Sequence, residues 1–338
     1  MNFQSDNAAG VRPDILAAVA AAAGPSVGAY DADDWSLRLD AAYSDVFATA
    51  CTVIAVSTGT AANALALAAM VPPYGAVVCH TDAHINVDEC GAPEFFTGGA
   101  KLLLCQGESG KLTPAAVTAA TAGFRAGYHQ VRPAALSLTQ ATEAGTVYSP
   151  DEVKALATLA KSRGWAVHMD GARFANAVAS LGCHPADVTA RAGVDVLSLG
   201  VIKNGGMTAE ALVIFDPALV EDIRLRRKRA GQMPSKGRFQ AAQLLAYLAE
   251  NRWLETAAAA NAAAARLAAA FGPRVTHAVA ANEVFVRLTP SDAGALRSVG
   301  AEFYDWGAPD DHLARFVVAW DTPAIAVDAL IAAVRTLG

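Results

Sequence analysis

Between Cys51 and Phe215 the chain repeats one pattern: a short apolar run, a loop of small or polar residues, then a helical stretch. The runs cover residues 51–56, 75–79, 101–105, 134–138, 165–169, 194–199 and 209–215. Runs this short and this continuously apolar suit strands buried on both faces. The helical stretches cover 64–70, 113–122, 153–163 and 174–181, with 217–229 after the last run. They carry the usual start and stop signals: Pro114 follows Thr113, and Pro150-Asp151-Glu152 opens a helix that Gly164 closes. The alternation predicts a mostly parallel sheet with helices on both faces. Ligands of such sheets gather beyond the carboxyl ends of the strands. His84, Gln140, Asp170 and Lys203 all fall at such ends or one loop beyond.

The flanking segments read differently. Helices are expected over 14–23 and 35–48, and from residue 237 the chain turns Ala- and Leu-rich. A long helix over 239–271, broken once, is followed by runs at 283–288, 302–305 and 315–319 and a last helix at 324–337. These runs look like antiparallel strands of a smaller α+β domain. The expected division is an arm over 1–15 that joins the small domain, a large domain over 16–236 and a small domain over 237–338.

Composition narrows the function class. With 54% hydrophobic and 17% charged residues, the chain is no disordered segment and fits an enzyme-sized globule. A formal net charge of −6 gives no reason to expect nucleic acid or an anionic membrane as partner. The Ala-rich stretch 257–271 is interrupted by Asn261 and Arg266, so it reads as a helix and not a membrane span. No signal segment opens the chain. The five cysteines are scattered and lack CxxC spacing, which fits a reducing, cytoplasmic compartment.

Two positions stand out chemically. Lys203 lies in a small, glycine-bounded turn just past the run 194–199. A lysine there is an ordinary surface charge, or it is retained because it pairs or serves as an amine nucleophile. Asp170 ends the run 165–169 within His168-Met169-Asp170-Gly171-Ala172-Arg173. A third feature is Ser57-Thr58-Gly59-Thr60, between a strand and a helix. Such a turn offers N–H groups and a helix N-terminus to a phosphate, although Ser and Thr also cap helices for purely structural reasons.

Asp170-Gly171-Ala172-Arg173, followed by Ser198-Leu199-Gly200 and Lys203-Asn204-Gly205, resembles the aspartate aminotransferase-like (fold type I) enzymes that use pyridoxal 5′-phosphate (PLP). More narrowly, the chain resembles the L-threonine aldolase family among the β-eliminating lyases. Ser5-Asp6-Asn7, the loop from His84 to Ala92 and His168–Arg173 are similar too, and the likeness spans essentially the whole chain. Two segments depart from the better-known branch. Thr139-Gln140-Ala141-Thr142-Glu143 stands in place of an Asn-Thr-His type sequence, and Ile202-Lys203-Asn204 in place of Ser-Lys-Gly. The chain therefore looks like a second branch.

The resemblance implies a large PLP-binding domain around a mostly parallel seven-stranded sheet. It also implies a role for each matching residue. Lys203 would hold the cofactor covalently through its amine. Asp170 would keep the pyridine nitrogen protonated. Gly59 and Thr60 would receive the phosphate. Arg238, or Lys236, would reach the phosphate from the neighbouring subunit, and Tyr30 would lie near the neighbour's cofactor. His84 would stack on the ring, and His84 or His129 would serve as general base or position a water. Ser5, Tyr30, Arg173 and Arg315 are the expected substrate contacts, with Arg173 also able to reach the cofactor and Arg315 gripping the α-carboxylate. His168 is read as structural. No metal is assigned.

The implied reaction is reversible cleavage of L-threonine, L-allo-threonine and related β-hydroxy-α-amino acids to glycine and an aldehyde. It would take place in a homodimer or homotetramer that shares its sites between subunits. The alternatives are another PLP lyase or an aminotransferase, an aldolase for bulkier phenylserine-type substrates, and a non-catalytic regulator of the same fold.

Overall fold

The chain was analysed as a computed structural model that describes residues 1–24, 26–125 and 127–337. The seven apolar runs form one sheet: β1 (Thr52–Val56), β2 (Gly75–His80), β3 (Lys101–Cys105), β4 (Arg132–Thr139), β5 (Ala166–Gly171), β6 (Val196–Leu199) and β7 (Glu210–Ile214). Their order is β1-β7-β6-β5-β4-β2-β3. All neighbours pair in parallel except β7, which is antiparallel to both β1 and β6. The exception has a simple cause. A parallel crossover takes a dozen or more residues. The link from Leu199 to Glu210 is shorter and holds only the turn Ile202–Asn204, so β7 must run back alongside β6.

Several boundaries differ from the sequence reading, each for a local reason. The helix expected at 64–70 spans Gly59–Met70, because Thr58 already caps it by accepting from the Ala61 N–H. The stretch 35–48 is two helices, Asp34–Leu37 and Leu39–Phe47, joined at Arg38. The long helix breaks once, into Arg238–Leu248 and Arg252–Phe271, where Glu250 and Asn251 both take left-handed backbone at φ 56° and 57°.

A second sheet, antiparallel throughout, contains β8 (Glu283–Arg287), β9 (Tyr304–Trp306) and β10 (Leu313–Val317) in the order β8-β10-β9. Hydrophobic burial divides along the same lines. Phe47, Phe174, Tyr247 and Trp253 belong to the main core, which also takes in Ala241, Leu244 and Ala257 from the two helices after Gly237. Phe3, Phe271, Phe303 and Phe316 centre the core of the second sheet. The arm lies along β10: the Val317 N–H donates to the Phe3 carbonyl at 2.8 Å, and the Phe3 N–H donates to the Glu302 carbonyl at 2.8 Å. No helix among the described residues is long and apolar enough to cross a membrane.

Candidate active site

Register places three polar residues side by side. Thr139 on β4, Asp170 on β5 and Ser198 on β6 are direct neighbours across the sheet at its carboxyl edge. All three line a cavity of about 250 Å³ together with Lys203, His84, Glu143, Arg173 and the N-terminal turn of the helix Gly59–Met70. Two residues deeper, His168 on β5 bridges its neighbours. Its Nδ1 lies 2.9 Å from the Ser137 hydroxyl, and its Nε2 3.0 Å from that of Ser198. Burial depresses its pKa to about 4, so the imidazole stays neutral and serves as a strut beneath the site.

The Lys203 turn is fastened from several sides. The buried Glu210 carboxylate accepts the Val201 N–H. The Asn204 amide donates to the Trp253 carbonyl at 2.8 Å and to the Tyr247 hydroxyl at 3.1 Å. The Gly205 carbonyl accepts the Arg12 N–H at 2.9 Å. Gly205 has φ 100°, and a Cβ there would meet the Arg12 side chain at 2.4 Å, so this turn demands glycine. Burial raises the Glu210 carboxyl to about 7, against the pull of the Val201 N–H and of Lys203.

Asp170 is held by its backbone and by one amide. Its Oδ1 accepts the Ala172 N–H at 3.0 Å, and its Oδ2 accepts Asn63 Nδ2 at 2.8 Å. Asn63 Nδ2 also donates to Glu89 Oε1 at 2.8 Å, and Glu89 Oε1 lies 2.9 Å from His84 Nδ1. A chain of contacts thus runs from His84 through Glu89 and Asn63 to Asp170. The hydrogen bond to Glu89 raises the His84 pKa, outweighing the effect of burial. Glu143 differs from these groups: it accepts no hydrogen bond from a described residue. Burial, reinforced by the charges of Asp170 and Glu283, pushes its carboxyl up to about 7.

On the other flank Arg173 is almost fully buried and doubly paired. Its Nε and Nη2 donate to the two Asp6 oxygens at 2.8 and 2.9 Å, and its Nη1 lies 3.2 Å from Glu283. Asn282 donates a further bond to Asp6 at 3.0 Å. Arg315 is held more loosely, 3.8 Å from Glu283 and 3.3 Å from the Gln4 carbonyl, with its guanidinium 4.2 Å over the Trp306 ring.

Lys203, Asp170, His84, Arg173, Gly59 and Thr60 all line the cavity. Five other expected residues do not. His129 is exposed on the loop before β4. Tyr30 lies under Lys228, 4.6 Å from the ring centre. Arg238 donates to the Ala22 carbonyl, Ser5 caps the turn Asp6–Ala8, and Arg315 lies 3.8 Å from Glu283. The sequence reading missed Asn63, Glu89, Glu143 and Glu210. The one available sign for Asn63 was a lone amide in an otherwise apolar helical run.

The lining suits a phosphorylated heteroaromatic aldehyde. The Gly59 and Thr60 N–H groups donate to no described residue, and a Cβ built at Gly59 meets nothing within 4 Å, so this helix end opens into the cavity. Buried Asn63 Oδ1 and Glu89 Oε2 also lack partners. An amine and a carboxylate face the same space.

A family model, that of the β-eliminating lyases, matches residues 2–290. The chain belongs to the β-eliminating lyase family. Among curated members it is similar to the low specificity L-threonine aldolase of Pseudomonas aeruginosa, with 45% identity over 324 residues, covering 95% of this chain and 93% of the relative. Its identity to the enzyme of the same description from a Pseudomonas species is 42%, covering 99% and 97%. Among solved structures, Leishmania major threonine aldolase superposes with a TM-score of 0.93 at 27% identity, covering 99% and 98% of the two chains. Within this β-eliminating lyase, the second sheet and the seven-stranded sheet are the two parts expected of fold type I.

The Asp6–Arg173 pair yields a stability prediction. Burial alone would raise the Asp6 carboxyl, but Arg173, Lys203 and the bonds from Arg173 and Asn282 outweigh it and bring it to about 2. A depressed folded-state pKa stabilises above the unfolded value near 4 and is lost as pH falls toward 2. Asp6→Asn is expected to cost about 2 kcal/mol at neutral pH. Denaturant unfolding of both forms from pH 7 down to pH 2 should show the gap closing only below about pH 4.

Proposed function

We infer that this β-eliminating lyase is a PLP-dependent L-threonine aldolase of low specificity, cleaving β-hydroxy-α-amino acids to glycine and an aldehyde. The observation that carries the reading is the convergence of Lys203, Asp170 and the open N-terminus at Gly59 and Thr60 on one cavity. Lys203 would hold the cofactor, Asp170 its ring nitrogen, and Gly59 and Thr60 its phosphate. When bound, PLP supplies a sink for the electron pair left on Cα when a substrate bond breaks.

The residues of this chain do the rest. His84 would face the ring, and the contact of its Nδ1 with Glu89 fixes the plane of the imidazole. Arg173, rigid between Asp6 and Glu283, forms one wall of the carboxylate end. Arg315, with a single long hydrogen bond to the Gln4 carbonyl and an unpaired Nε, would turn toward an incoming carboxylate. Gripping that carboxylate would fix how the substrate is oriented in the site. Replacing Lys203 with Ala is expected to abolish both the visible absorption of bound PLP and glycine release from threonine. Survival of either in purified protein would rule the reading out.

Bulkier substrates are favoured by one feature. A second cavity of about 630 Å³, lined by His277, Phe285 and Trp306 among others, shares Glu143 with the first. A β-aryl group has aromatic surface to pack against there. We expect kcat/KM for L-phenylserine to exceed that for L-threonine by about tenfold, a gain of about 1.4 kcal/mol in the transition state; coupled aldehyde assays measure the ratio.

The smallest active unit is read as a dimer, with a tetramer as the larger form. Arg238 and Tyr30 lie outside this chain's own cavity, which leaves them available to a neighbour's. Sedimentation at assay concentration should give no active monomer. The cytoplasmic reading rests on five cysteines that are all free.

A further inference from the structure

Four carboxylates line the main cavity: Glu89, Glu143, Asp170 and Glu210. Three are committed. Glu89 accepts from Asn63 and meets His84, Asp170 accepts from Asn63 and the Ala172 N–H, and Glu210 accepts the Val201 N–H. Glu143 alone has no hydrogen-bond donor among the described residues. It is also the one carboxylate that lines both the main cavity and the aromatic one.

That location matters for an amino acid whose Cα lies by Lys203 and whose carboxylate lies toward Arg173. The remaining substituent, Cβ with its hydroxyl, would then point toward the wall that Glu143 contributes to both cavities. Of the two histidines expected as base, His84 keeps its Nε2 free among the described residues and is the competing candidate that the test below separates, while His129 lies outside the cavity of its own chain. His84 has Nδ1 bound to Glu89, and His129 is exposed on its loop.

We propose that the Glu143 carboxylate accepts the proton of the substrate β-hydroxyl during cleavage and returns it during synthesis. The step balances within the substrate and this one group. The O–H proton passes to the carboxylate, and the O–H electron pair becomes the second bond of the aldehyde C=O. The Cα–Cβ pair stays on Cα, where a solvent proton later completes glycine. No oxidant or reductant is needed. A carboxyl poised near neutral pH is matched to such a transfer.

The proposal rests on the aldolase reading, and its test separates the two. Glu143→Gln, with Glu143→Asp as a second variant, is compared with wild type in three measurements. The first is cleavage of L-threonine. The second is exchange of a glycine Cα hydrogen for deuterium, followed by NMR, which uses the site but involves no hydroxyl. The third is the affinity of the apoprotein for PLP, read from fluorescence quenching. For E143Q, kcat for cleavage should fall by about 10²–10⁴-fold. Glycine exchange and PLP affinity should stay within about threefold, and E143D should recover part of the loss. Cleavage by E143Q at near wild-type rate would overturn the assignment. So would a parallel loss of cleavage and exchange, which is the signature of a merely structural role. A wild-type protein that exchanges glycine yet cleaves no β-hydroxy amino acid would defeat the aldolase reading itself, and the wild-type arm alone reveals that.

Discussion

The site depends first on how short the chain is between Leu199 and Glu210. A link too short to cross the sheet must turn at once, so Lys203 is delivered to the carboxyl edge of β6 and nowhere else. The same reversal brings Glu210 back beside the turn it fastens. One covalent length thus sets the position of the amine, the direction of β7 and the contact that steadies both. Register then does for Asp170 what the turn does for Lys203, because parallel pairing fixes Thr139, Asp170 and Ser198 in a row.

Around this frame the charges are arranged by degree of commitment. Arg173 sits between two carboxylates, so its cation is compensated before any substrate arrives. Buried pairs of this kind add little net stability over an apolar core, and breaking one partner is costly. Their effect is to fix geometry. Arg315 and Glu143 are the less restrained groups.

Much of this was legible in the sequence, and the limits have physical causes. The alternation of apolar runs revealed the sheet because both its faces are covered, and strand ends revealed Asp170 and Lys203 because ligands collect there. The antiparallel β7 was missed because runs buried on both faces look alike whichever way they point. Asn63 was hidden because one amide in a run of alanines changes helical periodicity very little, yet its side chain joins Glu89 to Asp170. Glu143 stood in plain view, in the segment where the chain departs from its better-known relatives. Its role depends on which groups leave it unpaired, and that is a property of three dimensions. His129 illustrates the converse: the residue type suits the chemistry, but in the single chain its loop is exposed and away from the cavity.

The arm ties the two sheets together through a very short stretch of chain. Phe3 is locked into the core beneath β10, and Asp6 closes on Arg173 beside β5. With so little slack between them, any sliding of the second sheet over the first must drag the guanidinium along. The arm is thus a connecting rod: whatever displaces the second sheet is felt at the Asp6–Arg173 pair.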